Sequence, residues 1–185
     1  MSRRRRSGLV VPMPDLDPVV GGFRHRWDPV APLGVRAHVT VLFPFVVPDV
    51  AGDALLARVE SVVAACRPFP VTFTGTAEFP DHVLYLVPTP AAPFIALTLA
   101  LAAEFPDQPP YEGQFADVVP HLTVAHDAAA PRDELRSELS ARLPVTTVAA
   151  RVELWVEGDD DRWSARAGFA MRGGLEPTAV SGVRT

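Results

Sequence analysis

Short runs rich in Val, Leu, Phe and Thr, bounded by Pro and Gly, predict strands over 9–13, 36–45, 71–79, 82–87, 118–126, 145–157 and 162–171. Between them the apolar spacing lengthens. Leu55, Leu56, Val59, Val62, Val63 and Cys66 recur as on one face of an amphipathic helix over 53–66, with Asp53 at its N-cap. A second helix, 91–105, is apolar on more than one side and is expected to be well buried. A third, 131–143, sets Leu135, Leu139 and Leu143 on one stripe, with Asp133 and Glu134 in its first turn and Arg142 in its last, as the helix dipole favours. Pro44, Pro48, Pro68, Pro70 and Pro144 mark the ends of these elements. The stretch 14–32, with Pro18, Gly21-Gly22 and the polar-aromatic run Phe23 to Trp27, predicts loop.

One phrase occurs twice: His38-Val39-Thr40-Val41 and His121-Leu122-Thr123-Val124. Alternation along a strand puts His and Thr of each copy on one face and the apolar residues on the other. Each copy is followed by a proline-marked loop, an amphipathic helix and a Pro-Val-Thr segment that opens a hairpin, Pro70-Val71-Thr72 in one half and Pro144-Val145-Thr146 in the other. This duplicated strand-helix-strand-strand unit predicts an α+β fold of two lobes. Each lobe is an antiparallel sheet with its helices outside, and a central cleft lies between the sheets. Pseudo-twofold symmetry then makes His38 and His121 equivalent across that cleft. The expected organisation is a disordered basic tail (1–7), a single bilobal domain (8–172) and a frayed C-terminal tail (173–185).

Composition narrows the function classes. With 185 residues, 48% of them hydrophobic, the chain can bury a core, and no apolar stretch reaches the roughly 18–20 residues that span a bilayer. The basic start is followed by a segment too short for a signal-peptide core, so a cytoplasmic protein is expected. A lone Cys66, on the apolar helix face, excludes an intrachain disulfide and a thiolate zinc site and reads as core filler. A net charge of −5, with four of the 17 basic residues in Arg3–Arg6, argues against wrapping long nucleic acid. A small or terminal phosphate remains compatible, and a monomer is expected.

Two imidazoles and two hydroxyls around one cleft suit phosphodiester chemistry. One His takes a proton from water, the other gives one to the leaving oxygen, and the hydroxyls steady the phosphoryl oxygens. The pair implies a bell-shaped pH profile and leaves open which histidine is the base. On these motifs the chain resembles the 2H phosphoesterase superfamily, defined by two His-x-Thr-x motifs in two lobes, and within it the bacterial 2′-5′ RNA ligase-like proteins, over about 9–171. The resemblance implies that His38 and His121 are catalytic and that Thr40 and Thr123 bind phosphate. It implies no metal or other cofactor, and a substrate that is a small cyclic nucleotide, an ADP-ribose cyclic phosphate or a 2′-5′ linked RNA end. Ligation would be the reverse of hydrolysis.

Secondary candidates surround the motifs. Arg36 shares the face of His38 and is a candidate phosphate contact; Tyr111, ahead of the second motif strand, is a candidate for stacking on a nucleobase. Arg24 and Arg26 can reach the cleft if their segment is a loop, whereas Phe43 and Trp155 read as core. His25, His82 and His126 lack the motif and read as structural or solvent-exposed, His126 on the opposite strand face from His121. No His-Glu-x-x-His, Gly-x-Ser-x-Gly or P-loop pattern is present, which sets aside zinc-protease, serine-hydrolase and nucleotide-driven ligase readings. The remaining rival is a binder of RNA ends or small nucleotides that uses the same cleft without turnover.

Overall fold

The structure is a computed structural model that describes residues 5–113 and 117–173, with Val50, Tyr111 and Glu112 described by backbone alone. Its elements run β1 (Ser7–Pro12), α1 (Asp17–Trp27), β2 (His38–Leu42), α2 (Asp53–Ala65), β3 (Phe69–Phe79), β4 (Val83–Thr89), α3 (Ala92–Glu104), β5 (Leu122–His126), α4 (Arg132–Ser140), β6 (Val145–Ala149), β7 (Arg151–Glu157) and β8 (Trp163–Ala170). The strands form two antiparallel sheets of four, ordered β2-β1-β7-β8 and β5-β4-β3-β6. The expected α+β architecture with two sheets is what the chain adopts. Inward rows such as Leu9 and Val11, Val39 and Val41, Leu84 and Leu86, and Leu122 and Val124 are buried. They pack in one continuous core with Val20 of α1, Val59 and Val63 of α2, Phe94 and Leu101 of α3, and Leu135 and Leu139 of α4. No helix of the described residues is long and apolar enough to cross a membrane.

The duplication is longer than the sequence suggests and is wired differently. In one sheet β1 and β2 are neighbours joined through α1; in the other, β4 and β5 are neighbours joined through α3. After the next helix each half sends a strand to the other's sheet: β3 lies beside β4, and β7 lies beside β1. The repeat is therefore β-α-β-α-β with an exchanged last strand, and α1 packs on β5 while α3 packs on β2. This interlocking explains why the two lobes share a core.

Several expectations are corrected. The stretch read as loop contains helix α1. Gly21 and Gly22 each disfavour a helix by about 1 kcal/mol relative to Ala. Even so, Val20 is buried and Val19, Phe23 and Trp27 pack against the core, so tertiary contacts with β5 outweigh propensity. The run 145–157 is two strands in two sheets, parted at Ala150, because apolar alternation continues across the seam and hides it. The second Pro-Val-Thr opens no hairpin. It pairs with the first, Thr72 opposite Thr146, with the two hydroxyl oxygens 2.9 Å apart. Helix α3 buries one face and leaves Leu99 56% exposed. Arg5 and Arg6, read as tail, are held in the fold: Arg5 pairs with Asp49 and Arg6 with Glu157 at 2.8 Å, and Ser7 already begins β1. Residues 174–185 and Arg3 and Arg4 lie outside the described residues.

Candidate active site

Strands β2 and β5 are each the outer strand of their sheet, and they abut. In β2, Val39 and Val41 are buried while His38 and Thr40 are half-exposed; in β5, Leu122 and Val124 are buried and Thr123 is half-exposed. Both strands carry a bulge directly after the motif threonine. Val10 pairs with Thr40 but Leu9 with Leu42, and Tyr85 pairs with Thr123 but Leu84 with Ala125. A bulge adds a residue to one strand and bends it, and its repetition here gives the two motifs one local geometry. The second bulge also upsets the parity used to place His126. Val124 and Ala125 are buried in succession, and His126 is exposed.

The two imidazoles are held alike. Nδ1–H of His38 donates to the Arg36 carbonyl at 2.7 Å, and Nδ1–H of His121 donates to the Val119 carbonyl at 2.8 Å. A carbonyl only accepts, so each neutral ring carries its proton on Nδ1 and presents Nε2 for proton exchange. The Thr40 hydroxyl donates to Nε2 of His38 at 3.2 Å. Aromatic rings brace both histidines. Trp155 lies 5.2 Å from the His38 ring, and Phe79 and Tyr85 lie 5.0 and 5.4 Å from His121. The sheet registers make Trp155 and Phe79 counterparts, opposite Gly8 in β1 and Val83 in β4.

Electrostatics breaks this symmetry. Although part of the His38 side chain reaches solvent, enclosure of its ring, reinforced by the Arg24 and His121 charges against the Arg36 carbonyl, pushes it down to about 3. Burial also lowers His121, but there the Val119 carbonyl and the Asp81 carboxylate oppose it. Arg24 is not on a loop. It is 3% exposed on α1, with Nη2 2.8 Å from Asp28, whose other oxygen accepts Val30 N–H at 3.2 Å. Asp28→Ala is expected to destabilise the protein by about 3–5 kcal/mol, since it strands a buried guanidinium; urea denaturation measures this.

A cavity of about 210 Å³ opens beside His38 and Thr40, walled by Phe43, Trp155 and Trp163 with Arg6 at its rim. Phe43 and Trp155, read as core, therefore line the site, although Trp155 is buried. Its Nε1–H donates to Glu153 at 2.8 Å, which fixes the indole. Gly8 leaves Phe43 its place: a Cβ there would lie 3.0 Å from the ring. Arg6 was missed because it closes an arginine run that looks like a tail. The signal was its position two residues before Gly8, on the row that continues to Val10. Glu157 grips its Nε and Nη2 at 2.9 and 2.8 Å and raises its pKa, and the guanidinium lies 5.5 Å over Trp163.

The remaining candidates scatter. Arg36 is exposed and lines a neighbouring depression of about 310 Å³ rather than this cavity. The turn Pro110–Gly113 lies against β2, but the Tyr111 side chain is outside the described residues. Arg26 is exposed, over the Trp27 ring at 5.0 Å. His25 and His82 are exposed, His82 in a turn with φ 66°. Cys66 is half-buried against the core, and burial pushes its thiol pKa up. Among the described residues no three His, Cys, Asp or Glu side chains cluster as metal ligands would.

Comparison with known proteins gives a family and a fold. The family model of the 2′-5′ RNA ligase superfamily matches residues 12–161. The fold is similar to TT0787 of Thermus thermophilus, at 20% identity and a TM-score of 0.65, over 92% of this chain and 100% of that one. It is also similar to E. coli LigT complexed with 3′-AMP, at 13% identity and a TM-score of 0.60, over 91% and 99% of the two chains. E. coli LigT complexed with NADP+ gives 15% identity and a TM-score of 0.57, over 92% and 99%. At these identities the likeness is one of fold. The sequence matches none of the curated proteins.

Proposed function

This chain belongs to the 2′-5′ RNA ligase superfamily, the 2H phosphoesterases, and on that premise we propose that it is a phosphodiesterase acting on 2′,3′-cyclic phosphate or 2′-5′ linked nucleotide ends. The observation that carries the reading is the matched pair of imidazoles. Each has Nδ1 tied to the carbonyl two residues back and a threonine hydroxyl two residues on, on strands that touch. The cavity of about 210 Å³ beside His38 and Thr40 supports it, as do the 3′-AMP and NADP+ complexes of LigT.

In this scheme His38 is the base. Its depressed pKa keeps Nε2 unprotonated, so it takes a proton as water attacks phosphorus. The bond from phosphorus to the ribose 2′ or 3′ oxygen breaks, and His121, protonated, gives that oxygen its proton. Thr123, and Thr40 once its hydroxyl has turned from Nε2, donate to the non-bridging oxygens where charge builds up, and Arg6 adds positive charge at the rim. Every step uses groups of the chain itself.

The sign of the pH dependence follows. The reactive form needs His38 neutral and His121 protonated. His38 is neutral above about pH 3, and the protonated fraction of His121 falls once pH exceeds a value below the ordinary 6.5. The expected kcat/KM therefore declines by about tenfold per pH unit between pH 7 and 8.5, with no acid limb above pH 5. A profile of kcat/KM from pH 5 to 9 checks it; a plateau reaching pH 9 would mean that no protonated histidine takes part and would overturn the scheme. The reading as a whole is tested by turnover and binding of 2′,3′-cyclic AMP and a 2′-5′ linked dinucleotide. Turnover of either supports it. Binding of both without turnover makes the protein a nucleotide binder instead.

A further inference from the structure

The face of the first sheet continues past the histidine. Its outward rows run Thr40, His38, Arg36 toward and beyond the start of β2, Gly8, Val10, Pro12 along β1, and Trp155, Glu153, Arg151 along β7. The cavity beside His38 occupies one end. The depression of about 310 Å³ occupies the other, lined by Arg36, Pro12, Arg151, Glu153 and Ser164 and sharing Trp155 and Trp163 with its neighbour. Between them Val30 and Val35 pack on Trp155. Gly34 has φ 99°, and a Cβ on it would lie 2.7 Å from the Trp163 carbonyl oxygen, so this strap sits tightly on β8 and needs glycine.

Among the described residues, the charged groups in this depression other than Arg36 all have hydrogen-bond partners. Glu153 accepts from Arg151 and from the Trp155 indole, both at 2.8 Å. Asp17 accepts the Ala37 amide at 2.9 Å. Arg36 is exposed, and among the described residues no carboxylate pairs with it. Its backbone carbonyl is the acceptor that orients His38, so Arg36 stands two residues along the chain from the imidazole beside which the phosphate would react. In the wall common to both cavities, the Trp163 indole N–H is buried without a hydrogen-bond partner.

We propose that this depression is a second subsite, which takes the nucleotide adjoining the reacting one and pairs its phosphate with Arg36. The substrate is then the end of an oligonucleotide of two or more units rather than a cyclic mononucleotide. This rests on the phosphodiesterase reading above. The geometry suits it: a planar guanidinium binds phosphate through two N–H donors. With Arg151 tied to Glu153, Arg6 and Arg36 are the cations offered along the track, so the enzyme would grip a short end, in keeping with its net charge of −5.

The test compares kcat/KM for 2′,3′-cyclic AMP with that for a dinucleotide ending in the same adenosine 2′,3′-cyclic phosphate. The wild type is expected to prefer the dinucleotide. Arg36→Ala should cut that preference about tenfold, as loss of one charge-assisted contact does. Ser164→Glu, which brings a negative charge into the depression, should cut it too. Equal kcat/KM for the two compounds in the wild type, or a preference ratio unchanged by both substitutions, overturns the subsite. If neither compound is turned over, the phosphodiesterase reading fails and calorimetric binding of the same pair decides the subsite. Tighter dinucleotide binding that Arg36→Ala abolishes supports it; equal affinities overturn it.

Discussion

His38→Ala and His121→Ala should each lower kcat on a 2′,3′-cyclic phosphate by about 100- to 10,000-fold, the range for removal of one positioned proton-transfer group. The double variant should be little worse than either single one, because base and acid act on the same step and their losses do not multiply. A residual rate several hundredfold lower in the double variant than in both singles would mean that the rings act independently. Stability separates this from a structural role. The His38 pKa is depressed in the folded protein, so between about pH 3 and 6.5 the unfolded chain binds a proton that the folded chain refuses. That histidine therefore costs stability as pH falls through this window. His38→Ala should lose activity yet gain acid resistance relative to the wild type, which thermal melts at pH 4.5 and 8 will read.

The second large effect belongs to the hydroxyls. Thr40→Val and Thr123→Val keep shape and remove one donor each; kcat should fall about 100- to 1,000-fold, with smaller changes in KM. Thr40→Ser and Thr123→Ser should recover most of the rate. The two valine variants should also differ. Thr40 donates to Nε2 of His38, so its loss should also disturb the base and cost more rate than the loss of Thr123. Steady-state kinetics of the four variants checks both points. Losses confined to KM would reassign the threonines to ground-state binding.

Much of the site was legible in the sequence because strand parity is a strong constraint. His38 and Thr40, like His121 and Thr123, fall on one face whatever the rest of the chain does. The repeated tetrapeptide also marked the two strands that do meet. Parity failed only where the strands bulge, and there it misplaced His126. The wiring was less legible. Helix α1 was hidden by two glycines whose cost is offset by packing that no local pattern reveals. The seam at Ala150 was hidden because β6 and β7 share one alternation while belonging to different sheets. The second Pro-Val-Thr looked like the first for a different reason: the two are partners across a strand pair, not equivalent hairpin starts. Arg6, Phe43 and Trp155 came to the site through the sheet registers, which only the folded chain supplies. Arg24 moved the other way, from a loop contact to a buried ion pair that acts on His38 through charge.

In the proposed reaction two histidines of this chain cleave a phosphodiester by proton transfer alone. Phosphorus NMR of 2′,3′-cyclic AMP incubated with chelator-treated protein tests it most directly. With the wild type the cyclic diester resonance should give way to a single monoester resonance, and it should persist with His38→Ala and with His121→Ala. A diester that binds and is never consumed, or turnover that the chelator abolishes or that survives in both variants, would contradict it.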